Sequence, residues 1–266
     1  MSATSTILRR ADAKGVATVT LSNPESRNAL GLLAIDTLIV ALDDVAKDPA
    51  IRAVVVAGEG PAFSAGHDLK EVQARRGDED GGAAYFDKLM RRCAEMMRAI
   101  VELPKPVIAA VEGVATAAGC QFVAACDLAI AGEGARFALP GVNIGLFCST
   151  PLVAVGRAVS RKAAMELALT GDPIDAARAE ALGLVNRVVP AGRALAEAQA
   201  LAARIASRPA AVTALGKRTF QRQIETTLAD AYRIASEAMV ENLALPEARE
   251  GIAAFLEKRP ARWSES

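Results

Sequence analysis

One stretch, residues 105–145, constrains the fold more than any other part of this chain. It opens with the uncharged run Val107–Val111, whose composition is typical of a strand buried on both faces. A turn at Gly113 and a run of small residues follow, and an apolar helix is predicted to continue to Cys126. The first N–H groups of a helix lack internal partners and carry partial positive charge, so small residues there predict an open anion site. The alternative is that the small residues only let the helix pack closely on the sheet.

A second glycine-containing segment, residues 58–70, follows a predicted strand at residues 53–57. Gly58 and Gly60 invite comparison with the dinucleotide-binding pattern GxGxxG. Residue 63 is Phe where that pattern requires its third glycine, and no helix is predicted to begin at once. The residues therefore argue against a dinucleotide site.

Together the two segments resemble the crotonase (enoyl-CoA hydratase/isomerase) superfamily. The matching residues are 63–68, 106–111, 113–126, 127–130, 169–171, 183–185 and 255–260. Within the superfamily, residues 117–121 and 140–151 resemble the enoyl-CoA hydratase domain-containing protein 3 group. The resemblance implies an α/β fold, a crotonase-type spiral of ββα turns with a C-terminal helical trimerisation region. We expect an acyl-CoA-binding core at residues 1–195, and a helical region at 196–266 that assembles a homotrimer or a dimer of trimers.

The resemblance also implies an acyl-CoA thioester as substrate, with no cofactor beyond the coenzyme A of that substrate. Family members place the thioester carbonyl between two backbone N–H groups, which stabilise the oxyanion of the transition state. By position, these donors are His67 and Ala118. The implied contacts to the substrate are Arg27, Ser64, Ala65, Gly66, Asp68, Gly119, Asn143, Cys148 and Lys258.

Two glutamates of true hydratases are replaced in this chain. The first position carries Gln121, and the second, which follows Pro140, carries Gly141. A carboxamide has no proton to exchange near neutral pH, and general acid–base groups each contribute about 10²–10⁴ in rate. The resemblance therefore implies lyase or isomerase chemistry of fatty acid metabolism, whereas efficient hydration is not expected.

Other side chains are candidates to replace the glutamates. His67 is the only histidine, and its ordinary pKa suits proton transfer. Asp68 could take part or could instead cap a helix. Cys148 could form a wall of the pocket, and Asn143 or Gln121 could hold a water or a carboxylate by hydrogen bonds. The motif at residues 64–68 also resembles methylmalonyl-CoA decarboxylases, although Cys148 stands where those carry tyrosine. Three hypotheses follow: a hydratase-like enzyme, a malonyl-type decarboxylase that uses His67, and a non-catalytic structural or acyl-CoA-binding protein.

Composition argues against several other classes of function. Lys plus Arg and Asp plus Glu number 31 each, so no overall field favours nucleic acid or a membrane surface. No apolar run approaches the roughly 18 residues of a membrane span. The four cysteines form no CxxC pair and lie in apolar runs, which predicts reduced thiols, no metal site and a cytoplasmic location.

The remaining chain predicts alternating strands and helices. Residues 1–14 are expected to form a polar leader, and Val16–Leu21 a strand. Asn28 is expected to cap a helix that ends at Asp48. A mobile loop is predicted at residues 71–82, a helix at 83–101 and a strand at 128–131. Thr150 and Asp175 are expected to cap helices, and residues 194–257 to be helical with breaks at Pro209 and Pro246.

Overall fold

Two β-sheets form the centre of the protein. The computed structural model describes residues 7–263. The strands are β1 (Leu8–Ala13), β2 (Val16–Leu21), β3 (Ala53–Gly58), β4 (Ala62–Ser64), β5 (Val107–Val111), β6 (Val114–Thr116), β7 (Leu128–Gly132), β8 (Arg136–Ala138), β9 (Ile174–Asp175) and β10 (Arg187–Val189). The larger sheet has the order β1-β2-β3-β5-β7-β10 and the smaller one β4-β6-β8-β9.

Three successive strand pairs each place one strand in the larger sheet and the next in the smaller. They are β3 with β4, β5 with β6, and β7 with β8, and neighbouring turns pair in parallel. Helices follow each pair, so the chain advances by one ββα turn at a time. This α/β spiral confirms the predicted fold class.

The helices surround the sheets. They are α1 (Leu32–Lys47), α2 (Leu69–Arg75), α3 (Ala83–Glu102), α4 (Ala118–Ala125), α5 (Ser149–Ala158), α6 (Arg161–Thr170), α7 (Ala176–Leu182), α8 (Ala194–Ala206), α9 (Ala210–Gln223), α10 (Leu228–Ala244) and α11 (Pro246–Leu256). Between residues 7 and 263 no helix is long and apolar enough to cross a membrane.

The inner strands of the larger sheet, β2, β3, β5 and β7, are buried on both faces. One face packs on α1, α3 and α4 through large apolar side chains, among them Leu38, Met96 and Phe122. The other face packs on α8, whose alanines at every fourth position, Ala194 to Ala206, lie against the strands. A stripe of alanines lets a helix approach a sheet closely, since no long side chain intervenes. The proposed domain boundary at residue 195 falls inside α8 and stays a prediction.

The polar leader predicted at residues 1–14 is wrong over its described part. Residues 8–13 form β1, an exposed strand paired antiparallel with β2. Lys14 and Gly15 have φ values of 52° and 76°, which suits a two-residue hairpin turn. The strand was missed because an exposed edge strand has few buried positions, so its sequence lacks apolar alternation. Residues 1–6 lie outside the described part of the chain.

Several predicted helix ends also need correction. Gly31, not Asn28, precedes α1, and Cys148, not Thr150, precedes α5. Asp175 caps α7 as predicted, by accepting a hydrogen bond from the Arg178 N–H. The loop predicted at residues 71–82 begins as the helix α2, and the C-terminal helices have an additional break between α9 and α10.

Candidate active site

Two sharp backbone turns touch each other where the two glycine-containing segments meet. Gly66 has φ +86°, and Ala117, which precedes α4, has φ +49°. A Cβ atom on Gly66 would lie 2.9 Å from the Thr116 carbonyl oxygen and 3.0 Å from the Ala118 nitrogen. Only glycine therefore fits at position 66. The contact places the backbone of His67 beside the first residue of α4.

The backbone N–H groups of His67 and Ala118 have no acceptor in the described part of the chain. Ala118 begins α4, so its N–H has no partner within the helix. The neighbouring Ala117 N–H donates to the Ala138 carbonyl oxygen at 2.9 Å, whereas the Ala118 N–H has no acceptor in the described part of the chain. Each of the two adjoining turns therefore carries one backbone donor without an acceptor in the described residues.

A buried network holds these turns in place. The Ser64 hydroxyl donates to the Asn28 carbonyl oxygen at 2.8 Å and accepts from the Gly66 N–H at 3.2 Å. Asn28 in turn donates through Nδ2 to the carbonyl oxygens of Glu59 and Ala62. The side chain of Asn28 thus fixes the turn after β3 instead of capping α1.

Gly119 and Leu30 complete the support of the two turns. A Cβ atom on Gly119 would lie 2.2 Å from the Ser64 carbonyl oxygen, so α4 touches the backbone of β4 directly. On the other side, the Leu30 N–H donates to the Gly66 carbonyl oxygen at 2.7 Å. The backbone around His67 and Ala118 is therefore rigidly positioned.

The imidazole of His67 is mostly buried, and its Nε2 atom is enclosed without a hydrogen-bond partner. Burial lowers the pKa of His67 from 6.5 to about 4. The ring is consequently neutral near pH 7. Because this pKa lies well below neutrality, the environment does not favour the proton shuttle that its ordinary pKa suggested.

The positions of the two replaced glutamates lie on α4 and on the 3-10 turn Pro140–Ile144. Gln121 is 4% exposed, and its Oε1 atom has no hydrogen-bond partner. A Cβ atom on Gly141 would lie 2.9 Å from the Cys148 sulfur, so the thiol occupies the space beside this glycine. Burial raises the pKa of the Cys148 thiol. The thiol therefore stays protonated near neutral pH.

Asn143 has different neighbours from Gln121. Its side chain is exposed and packs against Gly171, at the C-terminal end of α6. No hydrogen bond connects Asn143 to Gln121 in the described residues. The structure thus supplies no contact by which Asn143 assists this part of the site.

A groove of about 600 Å³ leads to His67 from the surface. It is lined by Asn23, Glu25, Ser26, Arg27, Ala29, Ala65, His67, Asp68, Leu69 and Lys70. Arg27 and Ala65 were predicted as substrate contacts, whereas Lys70 was not singled out. The sequence signal that could have identified Lys70 as a groove residue was its position two residues after Asp68. The groove carries two cations, Arg27 and Lys70, and two carboxylates, Glu25 and Asp68.

Asp68 and Lys258 occupy different surroundings. The Asp68 carboxylate caps α2 by accepting from the N–H groups of Lys70 and Glu71, at 2.9 and 3.2 Å. Lys258 follows α11 and is not among the residues that line the groove. Within one chain, Arg27 therefore lines the groove and Lys258 does not.

All four cysteines are free thiols. Within residues 7–263 no cluster of three or more His, Cys, Asp or Glu side chains is arranged to hold a metal ion. What the described site does contain is backbone donors, neutral polar side chains, and both cations and carboxylates at the groove.

The chain was compared with known proteins. The family described as enoyl-CoA hydratase/isomerase matches residues 11–266. Enoyl-CoA hydratase domain-containing protein 3, mitochondrial, from Xenopus laevis is 47% identical over 252 residues, which span 95% of this chain and 84% of that protein. The human protein of the same name is 46% identical over 250 residues, 94% of this chain and 81% of that protein.

Solved structures give the same result. The crystal structure of an enoyl-CoA hydratase from Mycobacterium smegmatis has 48% sequence identity and a TM-score of 0.92, and the match covers 97% of this chain and 99% of that one. Human enoyl-CoA hydratase domain-containing protein 3 has 44% identity and also a TM-score of 0.92, over 97% and 100%. The predicted resemblance to the domain-containing protein 3 group is confirmed.

The comparisons also correct one prediction. The cytoplasmic location is contradicted, because the similar proteins from Xenopus laevis and Homo sapiens are named mitochondrial. Free thiols indicate a reducing environment, but they do not distinguish one reducing compartment from another.

The spiral fold, the two touching turns and the similarity along nearly the whole chain lead to one conclusion. The chain belongs to the enoyl-CoA hydratase/isomerase family.

Proposed function

We propose that the protein binds an acyl-CoA thioester and polarises its carbonyl group between the N–H groups of His67 and Ala118. The observation that carries this proposal is the contact between the two turns, which leaves both donors without an acceptor in residues 7–263. A single donor of this kind is worth about 3–4 kcal/mol of barrier. The reaction is then one that develops an enolate or a related oxyanion.

The groove beside His67 supports coenzyme A as the carrier of the acyl group. Arg27 and Lys70 line it, and both are cations that suit phosphate oxygens. Arg27 follows a 3-10 turn in a left-handed conformation, φ 56°, so its backbone is fixed at the groove by the turn. In this proposal the phosphates lie in the groove and the thioester reaches the two turns.

Hydration of a simple enoyl-CoA is proposed to be slow. The side chains at the two glutamate positions are the carboxamide of Gln121 and the hydrogen of Gly141, with the Cys148 thiol beside it. Neither replaces a carboxylate that activates water. We expect crotonyl-CoA hydration at least about two orders of magnitude slower than in a relative that keeps both glutamates.

Calorimetric titration with coenzyme A, acetyl-CoA and crotonyl-CoA tests the proposal. We expect saturable binding, with Arg27→Ala weakening all three ligands alike because it acts on the shared phosphates. Arg157→Ala is a matched control, since this exposed arginine pairs with Glu225, far along the chain from the groove residues. No binding at millimolar ligand would favour the structural, non-catalytic alternative instead.

A homotrimer or a dimer of trimers is part of the same proposal. Helices α9 to α11 expose many large apolar side chains, which supports burial between subunits. These are Phe220, Ile224, Leu228, Tyr232, Met239, Val240, Leu243, Ile252, Phe255 and Leu256. Light scattering at several concentrations measures the assembly, and a stable monomer would rule it out.

Decarboxylation of a malonyl-type thioester is the second candidate. It is favoured by one observation, namely that Gln121 and Gly141 supply no base while the two backbone donors are in place. In this reaction the bond between the α-carbon and the carboxylate breaks, CO₂ leaves, and its electron pair forms an enolate held by the donors. A proton from water then adds to the α-carbon, with His67 as the candidate group that directs it.

The masses of malonyl-CoA and methylmalonyl-CoA after incubation with the protein test this candidate. We expect loss of CO₂, and His67→Ala to retain acyl-CoA binding with slower turnover, because the donor at this position is backbone. If neither ester is consumed by the unmodified protein, decarboxylation is excluded. Equal turnover by His67→Ala would remove His67 from the chemistry.

A further inference from the structure

Three buried side-chain atoms in the described chain have no hydrogen-bond partner. They are His67 Nε2, Gln121 Oε1 and the Tyr85 hydroxyl. Buried polar groups in folded proteins are nearly always paired, and each exception is destabilising. Two of the three belong to residues that the sequence and the fold already assign to the site. The third, Tyr85, had no role in either argument.

Tyr85 lies near α2, the helix that follows His67 and Asp68. Its side chain packs on the larger hydrophobic core, with the ring partly exposed and the hydroxyl buried, so the hydroxyl points inward. The carboxylates of Glu71 and Asp68 are close enough to act electrostatically on the phenol. Asp68 directly follows His67. Tyr85 therefore joins α3 to the first turn of α2, at the His67 end of the site.

The surroundings of Tyr85 hold the ring but leave the hydroxyl unpaired. The Arg75 guanidinium lies 5.3 Å from the centre of the ring. The Glu71 carboxylate lies beside the hydroxyl without meeting hydrogen-bond geometry. Glu71 is itself fixed, since it packs so closely on Gly31 that a Cβ atom there would lie 2.2 Å from Oε2. A residue needed only for packing would serve as well without the hydroxyl.

The phenol also keeps its proton. Burial raises the pKa of Tyr85 most, and the Glu71 carboxylate beside the hydroxyl raises it further, because as a hydrogen-bond acceptor it favours the protonated phenol. It is therefore a hydrogen-bond donor throughout the physiological pH range. The unpaired atom of Gln121 is an oxygen that can only accept a hydrogen bond, so the protonated Tyr85 hydroxyl is the group that can donate to a ligand oxygen.

From this geometry we infer that the Tyr85 hydroxyl is a further binding group of the acyl-CoA site, which donates a hydrogen bond to an oxygen of the bound acyl group. The inference rests on the proposed function, because it needs the acyl group to lie beside His67. It adds a residue from α3, outside both glycine-containing segments. It also gives the unpaired hydroxyl a partner that is present only in the complex.

Tyr85→Phe tests the inference, and Tyr232→Phe is its matched control. Tyr232, the only other tyrosine, is 70% exposed on α10. Both changes remove one hydroxyl, and Tyr85→Phe keeps the ring that stacks on Arg75. Urea unfolding without ligand is combined with calorimetric titration of coenzyme A, acetyl-CoA and 3-hydroxybutyryl-CoA.

For Tyr85→Phe we expect a urea midpoint equal to or above that of the unmodified protein, because an unpaired buried hydroxyl is removed. We expect affinity for one or both acyl-CoA esters to fall by about three- to tenfold, the range of one neutral hydrogen bond, with coenzyme A unaffected. Loss for both esters assigns the carbonyl oxygen as acceptor, and loss for the hydroxy ester alone assigns the chain hydroxyl. Tyr232→Phe is expected to leave the affinities for all three ligands unchanged.

Unchanged affinity of Tyr85→Phe for both esters would overturn the inference while leaving the proposed function intact. A lower urea midpoint together with unchanged affinity would assign the hydroxyl a structural role. If the unmodified protein binds coenzyme A but gains nothing from either acyl group, the inference also fails. Absence of all binding would overturn the proposed function, and the inference with it.

Discussion

The two sides of the site differ in how completely the fold satisfies their polar groups. On the side of the Gly66 and Ala117 turns, a hydrogen-bonded network through Ser64 and Asn28 fixes the backbone, and the N–H groups of His67 and Ala118 have no acceptor in residues 7–263. On the side of α4 that carries Gln121, the amide oxygen has no partner, and the thiol of Cys148 fills the space at Gly141.

This difference indicates which part of the site the fold itself maintains. The backbone side cannot change without disturbing the contact between α4 and β4, so it is retained with the fold. On the side-chain side, Gln121 is buried and a Cβ atom at Gly141 would lie 3.0 Å from the Leu146 carbonyl oxygen, but no hydrogen bond in the described residues depends on the Gln121 amide oxygen. We expect a chain of this kind to keep the binding of a thioester carbonyl more readily than its acid–base chemistry.

Gly119→Ala is expected to have the largest effect, since it acts on the backbone side. The added methyl carbon would lie 2.2 Å from the Ser64 carbonyl oxygen, which belongs to a backbone that cannot move freely. We expect a loss of about 3 kcal/mol in the free energy of unfolding, the upper end of overpacking costs. Urea unfolding at pH 7.5 measures this loss.

Gly156→Ala is the control for that measurement. Gly156 lies within α5, and a Cβ atom there would have no neighbour within 4 Å. In an open helical position, alanine is expected to stabilise by about 0.5–1 kcal/mol. Equal effects of the two changes would show that the contact between α4 and β4 is not tight, and the comparison between the two sides would lose its basis.

Restoring the carboxylates is expected to have the next largest effect, on activity. Gln121→Glu and Gly141→Glu replace both groups, and Cys148→Ala removes the sulfur that lies 2.9 Å from a Cβ atom at position 141. We expect the triple variant to hydrate crotonyl-CoA at least about a hundredfold faster, the lower limit for one acid–base group. Hydration is followed by the loss of enoyl thioester absorbance.

The double variant that keeps Cys148 separates the effect of the added carboxylates from the effect of the volume that the thiol occupies. It is expected to gain less activity, since the thiol occupies part of the volume needed by Glu at position 141. If the triple variant binds crotonyl-CoA but hydrates it no faster, the glutamate positions are misassigned. An unmodified protein as fast as a two-glutamate relative would lead to the same conclusion.

The burial of His67 predicts a pH dependence of stability. Its pKa is about 4 in the folded protein against 6.5 ordinarily, so between those values the unfolded chain binds more protons than the folded one. Stability is therefore fully present above about pH 6.5 and falls as the pH drops toward 4. At pH 5 the expected loss from His67 is about 2 kcal/mol relative to pH 7.5.

Since His67 is the only histidine, the unmodified protein and His67→Phe together isolate this contribution. Carboxylates protonate in both proteins, so the difference between the two pH profiles belongs to His67. The imidazole Cε1 proton resonance gives the pKa directly. A value near 6.5 in the folded protein would show that the ring is solvated, and the proton shuttle would again be open.

Much of the architecture could be predicted because its signals are local. Uncharged β-branched runs identified β3 and β5, and the motif at residues 63–68 located the turn that exposes the His67 N–H. β6 was missed because its three residues, Val114–Thr116, belong to a longer run of small residues, and nothing in the sequence marks where the strand ends and the helix begins. It becomes a strand only because β4 and β8 flank it in the smaller sheet.

Other features depend on contacts between distant segments, which no local pattern reports. Asn28 was predicted to cap α1, yet its side chain is 2% exposed and bonds to residues 31 and 34 positions further along. The place of Tyr85 near Asp68 and Glu71 depends on how the first turn of α3 packs against side chains of α2, such as Arg75. Thr150 was expected to cap α5 from its residue type and the following proline, but the helix begins one residue earlier.

Asp68 gives the smallest expected effect and the sharpest distinction between scaffold and substrate contact. It lines the groove and was predicted as a substrate contact, but its carboxylate already accepts from the N–H groups of Lys70 and Glu71. Asp68→Ala removes that cap and is expected to cost about 1 kcal/mol in urea unfolding. Asp68→Asn keeps a capping oxygen, so stability and acetyl-CoA affinity are both expected to stay near those of the unmodified protein. A several-fold change in affinity for Asp68→Asn at unchanged stability would instead show that the charge of Asp68 acts on the ligand, and that the scaffold side of the site also takes part in binding through a side chain.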